Sequence, residues 1–88
     1  MTPQEKMQGI VISAHEYGHY DFSLPPIIAL DRPLRRYSAS VSNSLLTYTV
    51  ADLHDGRWTR ESRISPEEMF DAVRELCGLQ DAWLKQWS

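Results

Sequence analysis

The chain has 88 residues, of which 42% are hydrophobic and 24% charged, and its net charge is −3. These values indicate one small domain over residues 1–88 and argue against disordered, collagen-like and coiled-coil classes. The acidic balance lacks the basic excess of a general nucleic-acid-binding protein, and no apolar run reaches the roughly 18 residues that a membrane span needs. The single cysteine, Cys77, excludes an internal disulfide and favours a reducing cytoplasm.

The first 24 residues are compatible with two structures. Thr2-Pro3-Gln4-Glu5 has the form of a capping box with proline at the first helical position, and apolar residues then recur at helical spacing. This pattern favours a helix over residues 3–20. The run Ile10-Val11-Ile12 instead favours a strand, so the alternative is a hairpin with strands across residues 8–14 and 19–24.

Residues 27–64 predict an antiparallel sheet of three to four strands. Residues 27–30 are apolar and are expected to form a short strand between two proline-containing segments. Apolar and serine residues then alternate up to Ser42-Asn43-Ser44, where we expect a tight turn or one extra residue. Before this point the alternating apolar residues have odd numbers, and beyond it they have even numbers, beginning with Leu46 and Tyr48. A tight turn or one extra residue would each produce this change.

The segment His54-Asp55-Gly56-Arg57 carries a strong hairpin signal, because Asp-Gly is a preferred pair for a type I′ turn. The turn places Leu53 opposite Trp58, and the same register continued along the strands places Tyr48 opposite Arg63. Neither face of this hairpin is then purely apolar, so the sequence does not show which face points to the core. Only a bulge between the strands would decide it.

The C-terminal segment, residues 65–87, predicts an amphipathic helix. Ser65 is the expected N-cap, Pro66 takes the first helical position and Glu68 completes a capping box. Gly78 either interrupts this helix or ends it before a last short turn. The apolar stripe that packs on the sheet comprises Met69, Val73, Leu76, Trp83 and Trp87. The expected fold is therefore α+β in two layers, an antiparallel sheet packed against the C-terminal helix and the possible N-terminal helix.

One sequence motif carries chemistry, since His15-Glu16-Tyr17-Gly18-His19 has the pattern H-E-x-x-H. On a helix, histidines four residues apart share one face and can bind one zinc ion, while the intervening glutamate acts as general base on the bound water. The segment resembles the active-site helix of zincin metallopeptidases. The resemblance implies His15 and His19 as zinc ligands and Glu16 as the base.

A catalytic zinc also needs a third protein ligand, and the sequence selects none. The candidates are Glu61, Glu67, Glu68 and His54. We favour the interpretation in which the two histidines of the motif are exposed polar residues, no cofactor is bound and no residue is catalytic. Zinc held by His15 and His19 is the alternative cofactor assignment.

Six of the seven arginines fall into two clusters in the sequence. The first adjoins a tyrosine and is the candidate partner-binding site, with Arg32, Arg35, Arg36 and Tyr37. The second comprises Arg57, Arg60 and Arg63. Arginine favours fixed bidentate contacts, and Arg and Tyr are common at the centres of interfaces. The alternatives are ion pairs with acidic residues of the sheet, and a nucleic-acid contact through the first cluster.

These observations favour a small cytoplasmic protein that acts by binding another protein and catalyses no reaction. Its size and acidity resemble those of inhibitors and regulators encoded by phages and mobile elements, which is an analogy of class and not of motif. We expect homodimerisation through a sheet edge or through the tryptophan-bearing helix, because so small a core gains from it. No membrane contact is expected, and nucleic acid is an unfavoured partner.

Overall fold

An antiparallel sheet carries two helices on one face in the computed structural model, which describes residues 2–86. The elements are α1 (Pro3–Tyr17), β1 (His19–Leu24), a 3₁₀ turn (Ile28–Leu30), β2 (Arg35–Ser42), β3 (Leu45–His54), β4 (Arg57–Trp58), β5 (Ser62–Ile64) and α2 (Pro66–Lys85). The strand order is β1-β2-β3, and both β4 and β5 pair with β3. The predicted two-layer α+β fold is confirmed, with one expected strand divided into β4 and β5.

The core lies between the two layers. Side chains of both helices meet the inner face of the sheet in one buried cluster, which contains Ile10, Ala14, Ala39, Tyr48, Met69, Val73 and Cys77. Burial raises the pKa of the Tyr48 phenol. The outer face of the sheet carries the side chains of the alternate residues, and both helices lie on the other side.

Helix α1 begins as the capping box predicts. The hydroxyl of Thr2 accepts the Glu5 N–H at 3.2 Å, and the Glu5 carboxylate accepts the Thr2 N–H at 3.5 Å. The helix ends at Tyr17, because Gly18 adopts φ +88° and donates its N–H to the Ala14 carbonyl at 2.9 Å. The helical alternative is thus correct as far as Tyr17, and the strand alternative is correct for β1. Burial on the core side of α1 outweighs the strand preference of its β-branched residues.

Replacing Gly18 with alanine is expected to lower the free energy of unfolding by about 1 kcal/mol, because a Cβ is strained in the left-handed conformation. Gly9→Ala is the matched control: Gly9 lies within α1 with open space around its Cα, and we expect a gain of roughly 0.5–1 kcal/mol. Urea unfolding followed by circular dichroism measures both. Equal effects of the two substitutions would contradict the assignment of the helix end.

The predicted strand at residues 27–30 is wrong, because this segment forms the 3₁₀ turn of a closed loop. Ile27 and Arg32 exchange backbone hydrogen bonds of 2.9 and 3.0 Å, and Asp31 takes φ +53° to reverse the chain between them. The loop projects its apolar residues outward, so that Ile28 is 93% and Leu30 72% exposed. The apolar composition indicated a buried strand, but Ile27 pairs with Arg32 of the same loop, so the residues between them form a turn and do not pair with a strand of the sheet.

The sequence allows either a tight turn or one extra residue between β2 and β3, and the structure has the tight turn. Asn43 and Ser44 both have positive φ, at 52° and 63°, and Ser42 is opposite Leu45. These are the features of a two-residue type I′ hairpin. Its register places Ala39 opposite Tyr48 on the inner face, which confirms the predicted shift in apolar phase.

The Asp-Gly hairpin forms as predicted, with Leu53 opposite Trp58, but the register farther along the strands is wrong. Tyr48 is opposite Ile64 and not Arg63, because one extra residue lies between Trp58 and Ser62. Thr59 holds this bulge by donating its N–H to the Asp52 carbonyl at 2.8 Å. The bulge decides the core side, since Ile64 returns to the inner face while Trp58 stays on the outer face.

Helix α2 begins at the predicted N-cap, where the Ser65 hydroxyl accepts the Glu68 N–H at 3.1 Å. Both expectations for Gly78 are wrong, because the helix continues through it to Lys85. Glycine here is exposed and costs only about 1 kcal/mol relative to alanine. Trp87, the last member of the predicted stripe, lies outside the described residues. Within residues 2–86, neither helix is long and apolar enough to cross a membrane.

Candidate binding surface

The H-E-x-x-H segment does not form one turn of helix. His15 lies in the last turn of α1, whereas His19 is the first residue of β1, and the left-handed Gly18 separates them. The spacing that would direct both imidazoles to one ion is therefore lost, and both histidines and Glu16 are exposed. Among residues 2–86, no group of three or more His, Cys, Asp or Glu side chains is arranged to hold a metal ion. The positions of these residues therefore do not support the zinc assignment, which stays a prediction.

Arg32, the first candidate contact residue, is engaged inside the protein. Its guanidinium donates to both carboxylate oxygens of Glu75 at 2.7 and 2.9 Å and to the Pro25 carbonyl at 3.0 Å. The side chain is only 14% exposed, and its Nε is buried without an acceptor among residues 2–86. The hydrogen bond from Arg32 holds the pKa of the Glu75 carboxyl below its usual value. This pair ties the loop of residues 25–34 to the middle of α2.

Arg35 and Tyr37 face the helices and not the open side of the sheet. Arg35 donates to both carboxylate oxygens of Asp52, with distances of 2.7 Å from Nε and 3.3 Å from Nη2. That hydrogen bond holds the pKa of Asp52 below its usual value. The ring of Tyr37 stacks on Phe22, with centroids 5.5 Å apart, and packs against the core. Both residues therefore stabilise the sheet in this structure.

Arg36 is the one member of the first candidate cluster that lies on the outer face of the sheet. Its guanidinium carbon lies 4.4 Å from the centroid of the Trp58 ring, within the range of a cation–π contact. Its Nη2 atom is 3.8 Å from a carboxylate oxygen of Glu61, a long and exposed ion pair. The Trp58 side chain is thus held in one orientation while 40% of the residue remains exposed.

Two further arginines adjoin this contact. Arg63 is opposite Thr49 and shares the outer face, and Arg60 lies in the connection between β4 and β5. Both are exposed, and neither forms an ion pair or a side-chain hydrogen bond with any residue in the described range 2–86. We call the group of Arg36, Trp58, Arg60 and Arg63 the Arg–Trp surface.

The remainder of the outer face is rich in hydroxyl groups. Ser38 is opposite Thr49 and Ser40 is opposite Thr47, so paired hydroxyl side chains cover the centre of the sheet beside the Arg–Trp surface. Hydroxyls donate and accept hydrogen bonds without carrying charge. The face therefore offers fixed positive charge at one side and adaptable polar contacts at its centre.

Of this surface, sequence reasoning named only Arg36 as a candidate contact residue, and it missed Trp58, Arg60 and Arg63. The hairpin register indicated that Trp58 shares a face with Leu53, yet it could not show which strand lies beyond β3. The pairing of Arg36 with Ala51 on β3 brings Arg36 beside Trp58. Arg57 lies next to Trp58 in β4 and points to the opposite side of the strand.

Comparison with protein-family models, with curated proteins and with solved structures finds no match for this chain. The function proposed below is therefore inferred from the geometry and the charge of its surfaces.

Proposed function

We propose that the protein is a non-enzymatic binding module that recognises an acidic surface on another protein through the Arg–Trp surface. One observation carries this proposal: Arg60 and Arg63 are exposed and have no acidic partner among residues 2–86, and they adjoin a tryptophan ring that Arg36 contacts. An ion pair between exposed side chains contributes little to stability, so these arginines are available to the carboxylates of a partner. Neither arginine pairs with any of the twelve Asp and Glu side chains, all of which lie within the described residues.

The composition of this surface suits recognition of carboxylates. Arginine binds carboxylate groups in a bidentate geometry, and tryptophan and arginine dominate the binding energy of protein interfaces. Arg36, Trp58 and Arg63 are also held in place by strands of a sheet whose other face is packed on the helices, and Arg60 lies in the short connection between two of these strands. Less conformational entropy is therefore lost on binding than for the same residues on a mobile loop.

The distribution of charge favours an acidic protein over a nucleic acid. The two helices carry seven acidic and three basic residues, so the helical layer has a net charge of −4. Proteins that bind long polyanions carry a basic excess, whereas this chain has a net charge of −3 and its positive charge is confined to local clusters such as the Arg–Trp surface. The partner is accordingly a protein with clustered carboxylates.

A regulatory or inhibitory role follows from a module that covers a partner's surface and adds no chemistry to it. Small acidic regulators of phages and mobile elements are the class that fits this size and charge. We place the protein in the reducing cytoplasm, since its single cysteine is free and buried.

Charge reversal at the centre of the surface tests the proposal. We expect Arg60→Glu combined with Arg63→Glu to weaken binding of the partner at least 10-fold, and Trp58→Ala to weaken it about 30-fold, the effect of losing a hot-spot side chain of about 2 kcal/mol. Partners are captured from nuclease-treated extract, identified by mass spectrometry, purified and titrated. Arg74→Glu, on an exposed arginine of α2, is the matched control.

Two results would contradict the proposed function. The first is equal binding by the wild type and the Arg60→Glu, Arg63→Glu variant. The second is salt-sensitive binding to a DNA or RNA oligonucleotide that this variant abolishes, because it would place a nucleic acid on the same surface.

A further inference from the structure

The C-terminal part of α2 carries core-type side chains that the sheet does not cover. Met69, Val73 and Cys77 are buried, and the same face of the helix continues into Trp83 and Leu84. These two residues are nevertheless 59% and 60% exposed. An open groove of about 450 Å³ runs along this face, and within residues 2–86 its lining belongs to α2 between positions 77 and 84.

The loop of residues 25–34 adds to the exposed apolar area. The Arg32–Glu75 pair ties this loop to α2 one turn before Leu79, which is 42% exposed. Ile28 and Leu30, the exposed residues of the loop, are carried on the segment that this pair anchors. Ile28 lies beside Pro33 and His54, so the loop carries a separate exposed apolar area and does not line the groove.

The molecule as a whole exposes more surface than a monomer of its mass is expected to expose, which is the direction expected for a subunit that buries part of its surface in a dimer. A monomeric protein of 10.2 kDa is expected to expose roughly 5,300 Å². This chain exposes 6375 Å². The excess of roughly 1,000 Å² is comparable with the surface of about 800 Å² that each partner buries in a stable interface.

Charge decides the direction in which two copies can pack. The first half of α2 carries Glu67, Glu68, Asp71 and Glu75 against one arginine, whereas the rest of the helix carries only Asp81 and Lys85. Parallel packing would bring the two acidic halves together. Antiparallel packing of the C-terminal halves keeps them at opposite ends of the interface and aligns the helix dipoles favourably.

We propose that the protein forms a two-fold symmetric dimer through antiparallel packing of α2 over residues 76–86, independently of the proposed function. The apolar groove of each copy takes the exposed leucine and tryptophan side chains of the other. A bilayer surface fits less well, because α2 carries five acidic residues and two basic ones, and helices that bind membranes present Lys and Arg. The free edge of β1 fits less well also, because Asp21 lies in its middle and is exposed.

Light scattering after size-exclusion chromatography, over protein concentrations from about 1 to 200 µM, tests the dimer. We expect the wild type to approach twice the monomer mass as concentration rises, and Leu84→Glu to weaken dimerisation at least 30-fold. Leu45→Glu is the matched control, since Leu45 is 61% exposed and lies at the β2–β3 turn. Leu79→Glu is a second test at the other edge of the groove, and circular dichroism verifies that each variant is folded.

Any one of three results would overturn the proposed dimer. A wild type that stays monomeric throughout shows that no second copy covers the groove, whether or not the protein sediments with vesicles of mixed neutral and anionic lipid. A dimer that survives both Leu79→Glu and Leu84→Glu places the interface elsewhere. Equal loss of the dimer in Leu84→Glu and Leu45→Glu removes the assignment to α2. Loss of partner binding in the Arg–Trp variants leaves this result unchanged, so the two proposals fail separately.

Discussion

Replacing Met69 with alanine is expected to lower the free energy of unfolding by about 3 kcal/mol, the usual cost of truncating a buried methionine. Met69 is 0% exposed and lies in the first turns of α2, in the buried cluster that joins both helices to the sheet. A chain of this length has a total stability of only about 4–13 kcal/mol. The substitution therefore removes a large fraction of it.

Urea unfolding, followed by circular dichroism, measures this loss. Ile12→Ala is the control, because Ile12 is 56% exposed and its truncation is expected to change stability by less than about 0.5 kcal/mol. A shift in the midpoint without a change in the m-value would show that the native state is destabilised. A loss below 1 kcal/mol at Met69 would mean that the two layers are not packed as described.

Replacing Glu75 with glutamine is expected to lower the free energy of unfolding at neutral pH by about 2 kcal/mol, because it leaves the mostly buried guanidinium of Arg32 without its carboxylate. The side chains of Arg32 and Glu75 are 14% and 33% exposed, so this pair is less screened by water than a surface pair. Asp71→Asn is the control. Asp71 pairs with Arg74 at 3.4 Å and is 73% exposed, and we expect its loss to cost less than about 0.5 kcal/mol.

The same variant predicts a change in pH dependence. Arg32 lowers the pKa of the Glu75 carboxyl below its ordinary value of 4.5, so the unfolded chain takes up a proton at a higher pH than the folded one. The contribution of the pair is therefore complete above that ordinary value and is lost as the pH falls through the lower folded pKa. The stability gap between wild type and Glu75→Gln should narrow from about 2 kcal/mol at pH 7 toward zero under acid conditions.

Asp52, whose pKa is also lowered, is present in both proteins, so its effect cancels in the difference. Stability measured at intervals between pH 7 and the acid transition gives the gap directly. A gap that stays constant over this range would show that Glu75 contributes through packing and not through its charge.

Local features of the fold were predictable because neighbouring residues determine them. Ser65 caps α2 through its own side chain, and Asp55-Gly56 adopts positive φ whatever lies around it. The end of α1 was not predictable, because a glycine at position 18 is compatible with either a weak helical residue or a left-handed cap. The burial of Ile10 and Ala14 and the pairing of β1 with β2 decided it.

The candidate surface was predictable only as a list of residue types. Four residues of similar promise, Arg32, Arg35, Arg36 and Tyr37, lie close together in the sequence. Only Arg36 reaches the outer face, because residues alternate between the faces of a strand and because Glu75 and Asp52 engage the other two arginines across 43 and 17 residues. No local pattern carries information about partners so distant.

By itself, the sequence determined the α+β class, the start of α2 and the Asp-Gly turn, and the last two depend only on side chains within a few residues of one another. Only the tertiary structure decided which side of the Asp-Gly hairpin faces the core, because a single extra residue before β5 reverses the direction of every side chain that follows. Only the tertiary structure also shows that the apolar face of α2 extends past the end of the sheet. A helix rises about 1.5 Å for each residue whether or not another layer lies beneath it, so its pattern cannot report where the sheet ends.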